Sequence, residues 1–504
     1  MIYHLKMHSY KEQEVIQLIN LIKNEFIKIF NKKSTYIMYA LILIFVIITN
    51  FIYKNELDES GNYKIDYYNT GYLEFAKEEL KSIKSEEDKD YEMSLRIDIM
   101  KYELIEKYGY DSWQAYIIEN NMYYIIESII NYKYKEENNE LLAKYEQEYN
   151  LYIEKFDNND YKYFINLEIE EVKQKKEDLK DNTMYPDELK KHMNIQYDLE
   201  LEVLNYRLDN NVDYSNTYLN RALSDYLNSA KIVKTKTLEE AIKENELHKE
   251  ESFLYQYYSE VSTMNVNKYI MDKKIDANKI NDTRGILMNL FTEYEIYILF
   301  AIIMFSAGIV SSEYSKGTIK QLLLTPHTRT QILTSKYITC ILMALFTIFI
   351  TIIMQLIVGG FTFGLSTINI PVVIYNFNNS VVETYNVFHY LLIQILSKMP
   401  MIILIITIVL LISVITANNA LSTVFGIILY IATPIVSSIA IYSKMYFLNL
   451  LILPHWDFSQ YLFGMISQNN NINLNMSIIL VITYLIVAII PSFVIFDRKD
   501  IKNM

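Results

Sequence analysis

Residues 35–53, Thr35 to Tyr53, run on without a single charged side chain. No other feature restricts the fold of this chain as strongly. Inside a bilayer there is no water to satisfy backbone N–H and C=O groups, so only a helix or a closed barrel can cross it. About 20 apolar residues make one helical crossing. Five further stretches meet that requirement, at 294–312, 337–361, 399–416, 421–442 and 477–496. The pattern predicts a mainly α membrane protein with six transmembrane helices. The 35–53 stretch starts far from Met1 and lacks a small-residue cleavage site, so it is expected to persist rather than be removed as a signal peptide.

Charge divides the chain in the same places. Residues 54–295 hold 32 Lys and Arg against 52 Asp and Glu, while the remainder holds 15 against 8. The overall charge of −13 therefore belongs to one polar insert, and the apolar remainder is mildly basic. A chain acidic only in its soluble part is a poor nucleic-acid binder. The single cysteine, Cys340, lies in an apolar run and reads as a buried thiol, so the insert must fold without a disulfide.

Before the first span, Val15, Leu18, Ile19, Ile22, Phe26, Ile29 and Phe30 recur at three- and four-residue steps, with Lys23, Lys28, Lys32 and Lys33 among or just after them. Residues 1–34 thus read as a basic amphipathic helix lying on a membrane surface. In the insert, 54–293, Leu142, Tyr145, Tyr149, Tyr152 and Phe156 follow a coiled-coil spacing that continues through Val172 towards Leu179. If 140–180 is one helix, it is roughly 60 Å long at ~1.5 Å per residue. Asp181 to Glu188 breaks it, with Pro186 and two acids opening the next helix, which carries Leu189, Ile195, Leu199, Leu201, Leu204 and Leu208. Two long helices joined this way predict an antiparallel, coiled-coil-like arm. The aromatic seam reads as packing core or as a ligand groove. A shorter helical group, 87–134, contains Trp113, and no β-rich section is visible.

Lys398 and Pro400 interrupt the apolar run 388–416, which predicts a short interfacial helix ahead of the fourth span. The 443–475 loop, with Pro454, His455 and Trp456, fits a re-entrant or interfacial pair of short helices. Positive charge near span ends sets orientation. Six lysines in 1–34, four basic residues in 313–336 and three in the 497–504 tail all fall on one side of a six-span chain. That side is expected to be cytoplasmic, with both termini, and the insert and the 365–387 and 443–475 loops extracytoplasmic.

The connection between the second and third spans differs in kind from the rest. Ile319, Leu322, Leu323 and Leu324 give 312–336 an apolar face, while Lys316, Lys320, Arg329 and Lys336 give it positive charge. It reads as a short amphipathic helix held at a membrane surface. No phosphate-binding Gly-rich loop is present: Ser315-Lys316-Gly317-Thr318 lacks both the glycine spacing and a preceding strand. The seven histidines are dispersed and no catalytic or metal-ligand constellation stands out, so the chain is expected to be non-catalytic, without a cofactor or metal of its own. Between 337 and 496 the charged residues are Glu383, Lys398, Lys444 and Asp457, placed at or outside span ends. Ion-coupled transport usually needs such groups inside the membrane.

The run Glu313 to Leu323, followed by Thr325-Pro326, Arg329, Ile332 and Ser335-Lys336, resembles the loop between the second and third spans of type-2 ABC transporter permeases. The basic helix before the first span, the six spans, and Phe496 followed by Arg498, Lys499 and Asp500 agree with that family. The large insert after the first span is longer than in the compact members and resembles that of the larger ones. The resemblance implies that Glu313–Lys336 is a coupling segment seated in a groove of a separate ABC ATP-binding subunit, which binds ATP and Mg. The interface residues it implies are Glu313, Lys316, Gly317, Thr318, Lys320, Pro326, Arg329 and Lys336. Gly317 permits a tight backbone, Thr318 can cap the next turn, and Pro326 can end it. Glu313 could meet a basic group of the partner or of the first amphipathic helix. Lys316 and Lys320 are equally suited to anchoring at lipid headgroups.

The expected function is the permease subunit of an ATP-driven exporter in a bacterial cytoplasmic membrane. A second permease copy or a paralogue completes the path, and the cargo is amphiphilic, peptide or antimicrobial-like. The competing reading is a membrane-anchored receptor or scaffold with an extracellular coiled-coil arm.

Overall fold

A computed structural model describes residues 2–55, 71–83, 89–136, 138–248, 252–442 and 445–499, with side chains described from Val15 onward except those of Leu323 and Tyr446. Asp500, Lys444 and the start of the insert before Gly71 lie outside the described residues. The chain divides into two compact units, one formed by 1–62, 239–258 and 277–504, the other by 63–238 and 259–276.

The first unit is built on helices α1 (Ile2–Phe30) and α2 (Lys33–Asn55). The two are separated by a tight corner in which the Thr35 hydroxyl donates to the Ile29 carbonyl. The second unit is all helical among the described residues. Its helices are α3 (Tyr72–Ser82), α4 (Lys89–Tyr108), α5 (Trp113–Asn120), α6 (Tyr123–Tyr134), α7 (Asn139–Asp157), α8 (Tyr161–Asp181), α9 (Asp187–Asn210) and α10 (Tyr218–Thr235). Next in the chain come α11 (Leu238–Leu247), which belongs to the first unit from Glu239 on, and α12 (Phe253–Lys273), divided between the units.

The 140–180 stretch is two helices rather than one. Asn158, Asn159 and Asp160 break it, with Asn159 at φ +54° and the Asp160 carboxylate accepting the Tyr163 N–H as the new N-cap. Asn and Asp tolerate the left-handed conformation and cap helices well, so this run of them stops one helix and starts the next. The break turns α7 away from an extended arm. Its aromatic seam packs into the helical group of α4 to α6, where Tyr145, Tyr152 and Phe156 are buried with Trp113 and Phe164. Trp113 meets the rings of Phe156 and Phe164 at 5.5 and 5.7 Å and donates its indole N–H to Asn159. The seam is therefore packing core. A hairpin of α8 and α9 does form around Pro186, and Lys176 pairs across it with Asp198.

The rest of the first unit comprises α13 (Thr283–Met288), α14 (Leu290–Ser315), α15 (Ile319–Leu323), α16 (Arg329–Phe363), α17 (Val387–Thr416), α18 (Asn419–Tyr442) and α19 (Leu474–Arg498). Among the described residues six helices, α2, α14, α16, α17, α18 and α19, are long and apolar enough to cross a membrane. Their core is aliphatic, with Ile302, Ile303, Val310, Leu333, Met343, Ile405 and Val409 all buried. Three polar side chains inside it satisfy one another: Asn50 and Tyr294 both donate to the Gln355 side-chain oxygen at 2.8 Å. Burying such groups unpaired would cost roughly 1–3 kcal/mol each.

One expectation fails here. Helix α17 is continuous from Val387 through Pro400, so no separate interfacial helix precedes it. Membrane helices tolerate proline where neighbouring groups re-satisfy the freed carbonyl, and Lys398 is held in place by carboxylates described below. Between α16 and α17 the chain also forms a β-hairpin, β1 (Val372–Asn376) antiparallel to β2 (Val381–Tyr385), with Ile374 opposite Glu383. The 443–475 loop contains a pair of short helices, both of the 3-10 type, at Tyr446–Leu450 and Phe458–Gly464. Between them His455 is buried, its ring nitrogens 2.9 Å from the Ser477 hydroxyl and 2.7 Å from the Asn449 carbonyl.

Candidate functional site

The α14–α16 connection is short, and both of its flanking helices are fixed. Helix α14 runs on to Ser315, and Gly317 then takes φ +69°, a left-handed conformation that costs a glycine nothing. The single turn α15 follows. Thr328 opens α16 with a reciprocal capping box to Gln331. Thr318 does not cap α15 through its side chain; its hydroxyl turns back to the Glu313 carbonyl at 3.4 Å. Pro326 lies in the bend between α15 and α16.

Four charged side chains from three helices meet at the base of this connection. The Lys28 ammonium of α1 is 2.7 Å from Glu25 and 2.7 Å from Glu313. The Lys336 ammonium of α16 is 2.8 Å from Glu313, 3.1 Å from Glu25 and 3.0 Å from the Ile309 carbonyl it donates to. Positive and negative groups alternate around a square with no net charge. Lys336 has 0% of its surface exposed, and Glu25 and Glu313 are also buried. Burial alone would lower the Lys28 pKa, but Glu313 and Glu25 together outweigh it and raise the group above its ordinary value. Glu313 and Lys336 are therefore internal braces that lock α1 to the ends of α14 and α16, and they are not exposed for a partner to touch. Of the two partners open to Glu313, the amphipathic helix is the one it meets.

Arg329 is likewise engaged within the chain. Its guanidinium Nη1 lies 3.2, 2.7 and 3.0 Å from the carbonyl oxygens of Phe496, Asp497 and Lys499. A cation at the C-terminus of α19 meets both the unsatisfied carbonyls and the negative end of the helix dipole. Lys499 repeats the device, donating to the Val414 and Ile415 carbonyls at the end of α17 at 2.6 and 3.0 Å. Its ammonium also sits 4.8 Å above the Tyr314 ring. Phe496 is buried and Arg498 is exposed.

What remains on the outer surface is a smaller set. Lys316, Gly317, Thr318, Lys320 and Pro326 are exposed, and Leu324 is 87% exposed. Ile319, by contrast, is buried in the core. Leu324 thus leaves the apolar face assigned to it because α15 ends one residue earlier.

A second charged group was not legible in advance. Lys398, well inside α17, is 2.5 Å from Glu295 of α14 and 2.7 Å from Asp457 of the 443–475 loop. It belongs to an ion triad in which Lys398 is buried and Glu295 and Asp457 are half-buried. The signal available was Glu295, which lies within the predicted second span. A charge there implies a partner, because unpaired ions in apolar surroundings are too costly. Among the described residues no group of three or more acidic, His or Cys side chains could hold a metal ion.

Comparison with known proteins identifies the family. The model of a family described as ABC-2 family transporter protein matches residues 19–501. A Bacillus subtilis (strain 168) protein described as "Uncharacterized protein YhcI" is 28% identical over 262 residues, covering 51% of this chain and 80% of that protein. No solved structure matches. With a family match running through α2 and all five later apolar helices, the chain belongs to the ABC-2 family of transporter proteins, as a membrane permease subunit.

Proposed function

We propose that this permease subunit spans the cytoplasmic membrane six times, with both termini and the α14–α16 connection inside and the acidic insert outside. The excess of basic residues on the proposed inner side supports that orientation. A separate ATP-binding subunit, carrying ATP and Mg, docks on the connection, and a second permease copy or a paralogue completes the path. The chain itself does no chemistry.

The observation that carries this reading is the exposed crown of the connection above a braced base. Lys320, Leu324 and Pro326 project outward, with Gly317 and Thr318 beside them. A large apolar side chain exposed on a basic surface is a docking element in search of a pocket. Beneath it, the square of Glu25, Lys28, Glu313 and Lys336 ties that crown to three helices, so a push is delivered to α1, α14 and α16 together. Interfaces of this kind convert small shifts into rigid-body movement.

For cargo, the reading is export of amphiphilic, peptide or antimicrobial-like molecules. Its support is chemical: the outward faces of the aliphatic helices carry hydroxyls such as Ser438 and Thr483, and the interior charges described above are already paired. The test is co-expression with an ATPase subunit. Wild-type permease should form a complex and alter ATP hydrolysis, and Leu324→Glu with Lys320→Glu should abolish that effect. Unchanged coupling in the double variant would refute the docking assignment. ATP-dependent accumulation of a cationic amphiphilic peptide in inside-out vesicles tests the cargo class and direction.

A further inference from the structure

Between α1 and the α14–α16 connection lies a cleft of about 590 Å³. Resting on the membrane placement proposed above, we propose that it binds a phosphate ester anion, gripped between Lys32 and Lys316.

The cleft wall carries Glu25 and Glu313 as its carboxylates, and Lys28, Lys32 and Lys316 as its ammonium groups. Both carboxylates are already engaged by Lys28 and by Lys336 behind the wall, in a square that sums to zero. Lys32 and Lys316 therefore add two positive charges that the wall's own acids do not balance. The Lys32 ammonium is held below its ordinary pKa, first by burial, then by repulsion from Lys316 and Lys336, which Glu25 and Glu313 only partly offset. A half-desolvated cation crowded by its neighbours, as Lys32 is, is stabilised by an incoming anion.

The surroundings specify the anion further. Gln321 and Asn31 offer hydrogen-bond donors on the same wall. Ile29, Ile309 and Leu322 add an apolar strip beside them. Lys32 directly precedes α2 and Lys316 directly follows α14, so both lysines sit where apolar helices begin and end. That is headgroup depth, where basic side chains meet lipid phosphates. A phosphate ester fits from either of two sources, an anionic phospholipid headgroup or a free ester in solution. Either would sit behind α15 and set the posture of the connection.

The experiment measures thermal stability of the purified full-length chain in a neutral detergent. Short-chain phosphatidylglycerol, phosphatidylcholine and glycerol 1-phosphate are added separately. Wild type and Lys320→Gln, which lies off the cleft wall, should gain several degrees with phosphatidylglycerol. Lys316→Gln alone should lose most of that gain, and Lys32→Gln with Lys316→Gln all of it, with little change in the unliganded melting temperature. If glycerol 1-phosphate reproduces the gain with the same lysine dependence, the source is a soluble ester and the site stands. Native mass spectrometry of wild type gives a readout independent of any variant's folding: phosphatidylglycerol should be retained in preference to phosphatidylcholine. Equal gains from both lipids, or an unchanged phosphatidylglycerol gain in the lysine variants, would overturn the proposal. So would the absence of any gain together with lost ATPase-subunit binding in the double variant, which would assign the lysines to a protein partner. Failure of ATPase coupling through Leu324 would leave these lipid measurements untouched, so the two readings fail separately.

Discussion

Replacing Lys336 with Met removes one corner of the charge square while keeping most of the side chain's volume. Glu25 and Glu313 would then share Lys28 alone, leaving one buried negative charge without a partner and the Ile309 carbonyl without its donor. Breaking a buried ion pair from one side costs about 3–5 kcal/mol. At ~2 °C per kcal/mol for a large domain, the melting temperature should fall by roughly 6–10 °C. The assay is thermal unfolding of the purified chain in detergent, with Lys316→Met as an exposed-lysine control expected to shift little. The decisive variant is Lys336→Met with Glu25→Gln, which restores neutrality and should recover much of the loss. If the double variant is no more stable than Lys336→Met, or if Lys336→Met melts with the wild type, then the square is not a coupled network and the reasoning is wrong.

Lys398→Met should strand Glu295 and Asp457 in the same way, at about 3–5 kcal/mol; expression level and melting temperature check it, with Glu295→Gln added as the compensating change. Arg329→Ala should loosen the end of α19 by removing charged hydrogen bonds to the carbonyls of Phe496, Asp497 and Lys499, worth about 1.5–3 kcal/mol; hydrogen exchange at 493–499 should accelerate while the centre of α19 stays protected. Lys28 has a folded-state pKa above its ordinary 10.5, so its contribution is fully present below that value and is lost as pH rises through the folded pKa. The gap in melting temperature between wild type and Lys28→Met should therefore hold steady up to about pH 10 and narrow above it, because wild type alone loses the contribution.

The presence of the apolar helices was readable because twenty uncharged residues admit few fates, but their ends were not, since α16 begins at Arg329 and α17 at Val387. What joins them was not. Glu25 lies 288 residues before Glu313 along the chain, and nothing local marks it as that residue's neighbour through Lys28. Glu313, Lys336 and Arg329 stood out for their charge, yet the structure turns all three inward or onto backbone, because a helix end at a membrane surface has its own carbonyls and ions to satisfy. The outward face instead holds Leu324, which hydropathy had assigned to the packed side. Pro400 misled in the opposite direction: local propensity ends a helix there, while packing and the Lys398 triad carry α17 through. In the insert, Asp157-Asn158-Asn159-Asp160 was a legible stop signal, outweighed by the continuing apolar period on either side. The β-hairpin at 372–385 was similarly marked by Val-Val-Ile-Tyr and Val-Val-Glu-Thr-Tyr around Asn378-Asn379.

Helix α16 has 35 residues and contains no proline. It is about 52 Å long at ~1.5 Å per residue, and about 40 Å of it lies beyond Lys336. The charge square grips it near one end, which makes the rest a lever arm. A tilt of about 5° at that grip would carry the far end, beside Gly359 and Gly364, through about 3.5 Å over that length. A displacement too small to break any of the four ion contacts at the pivot is therefore wide enough at the other end to open or shut a gap between neighbouring helices.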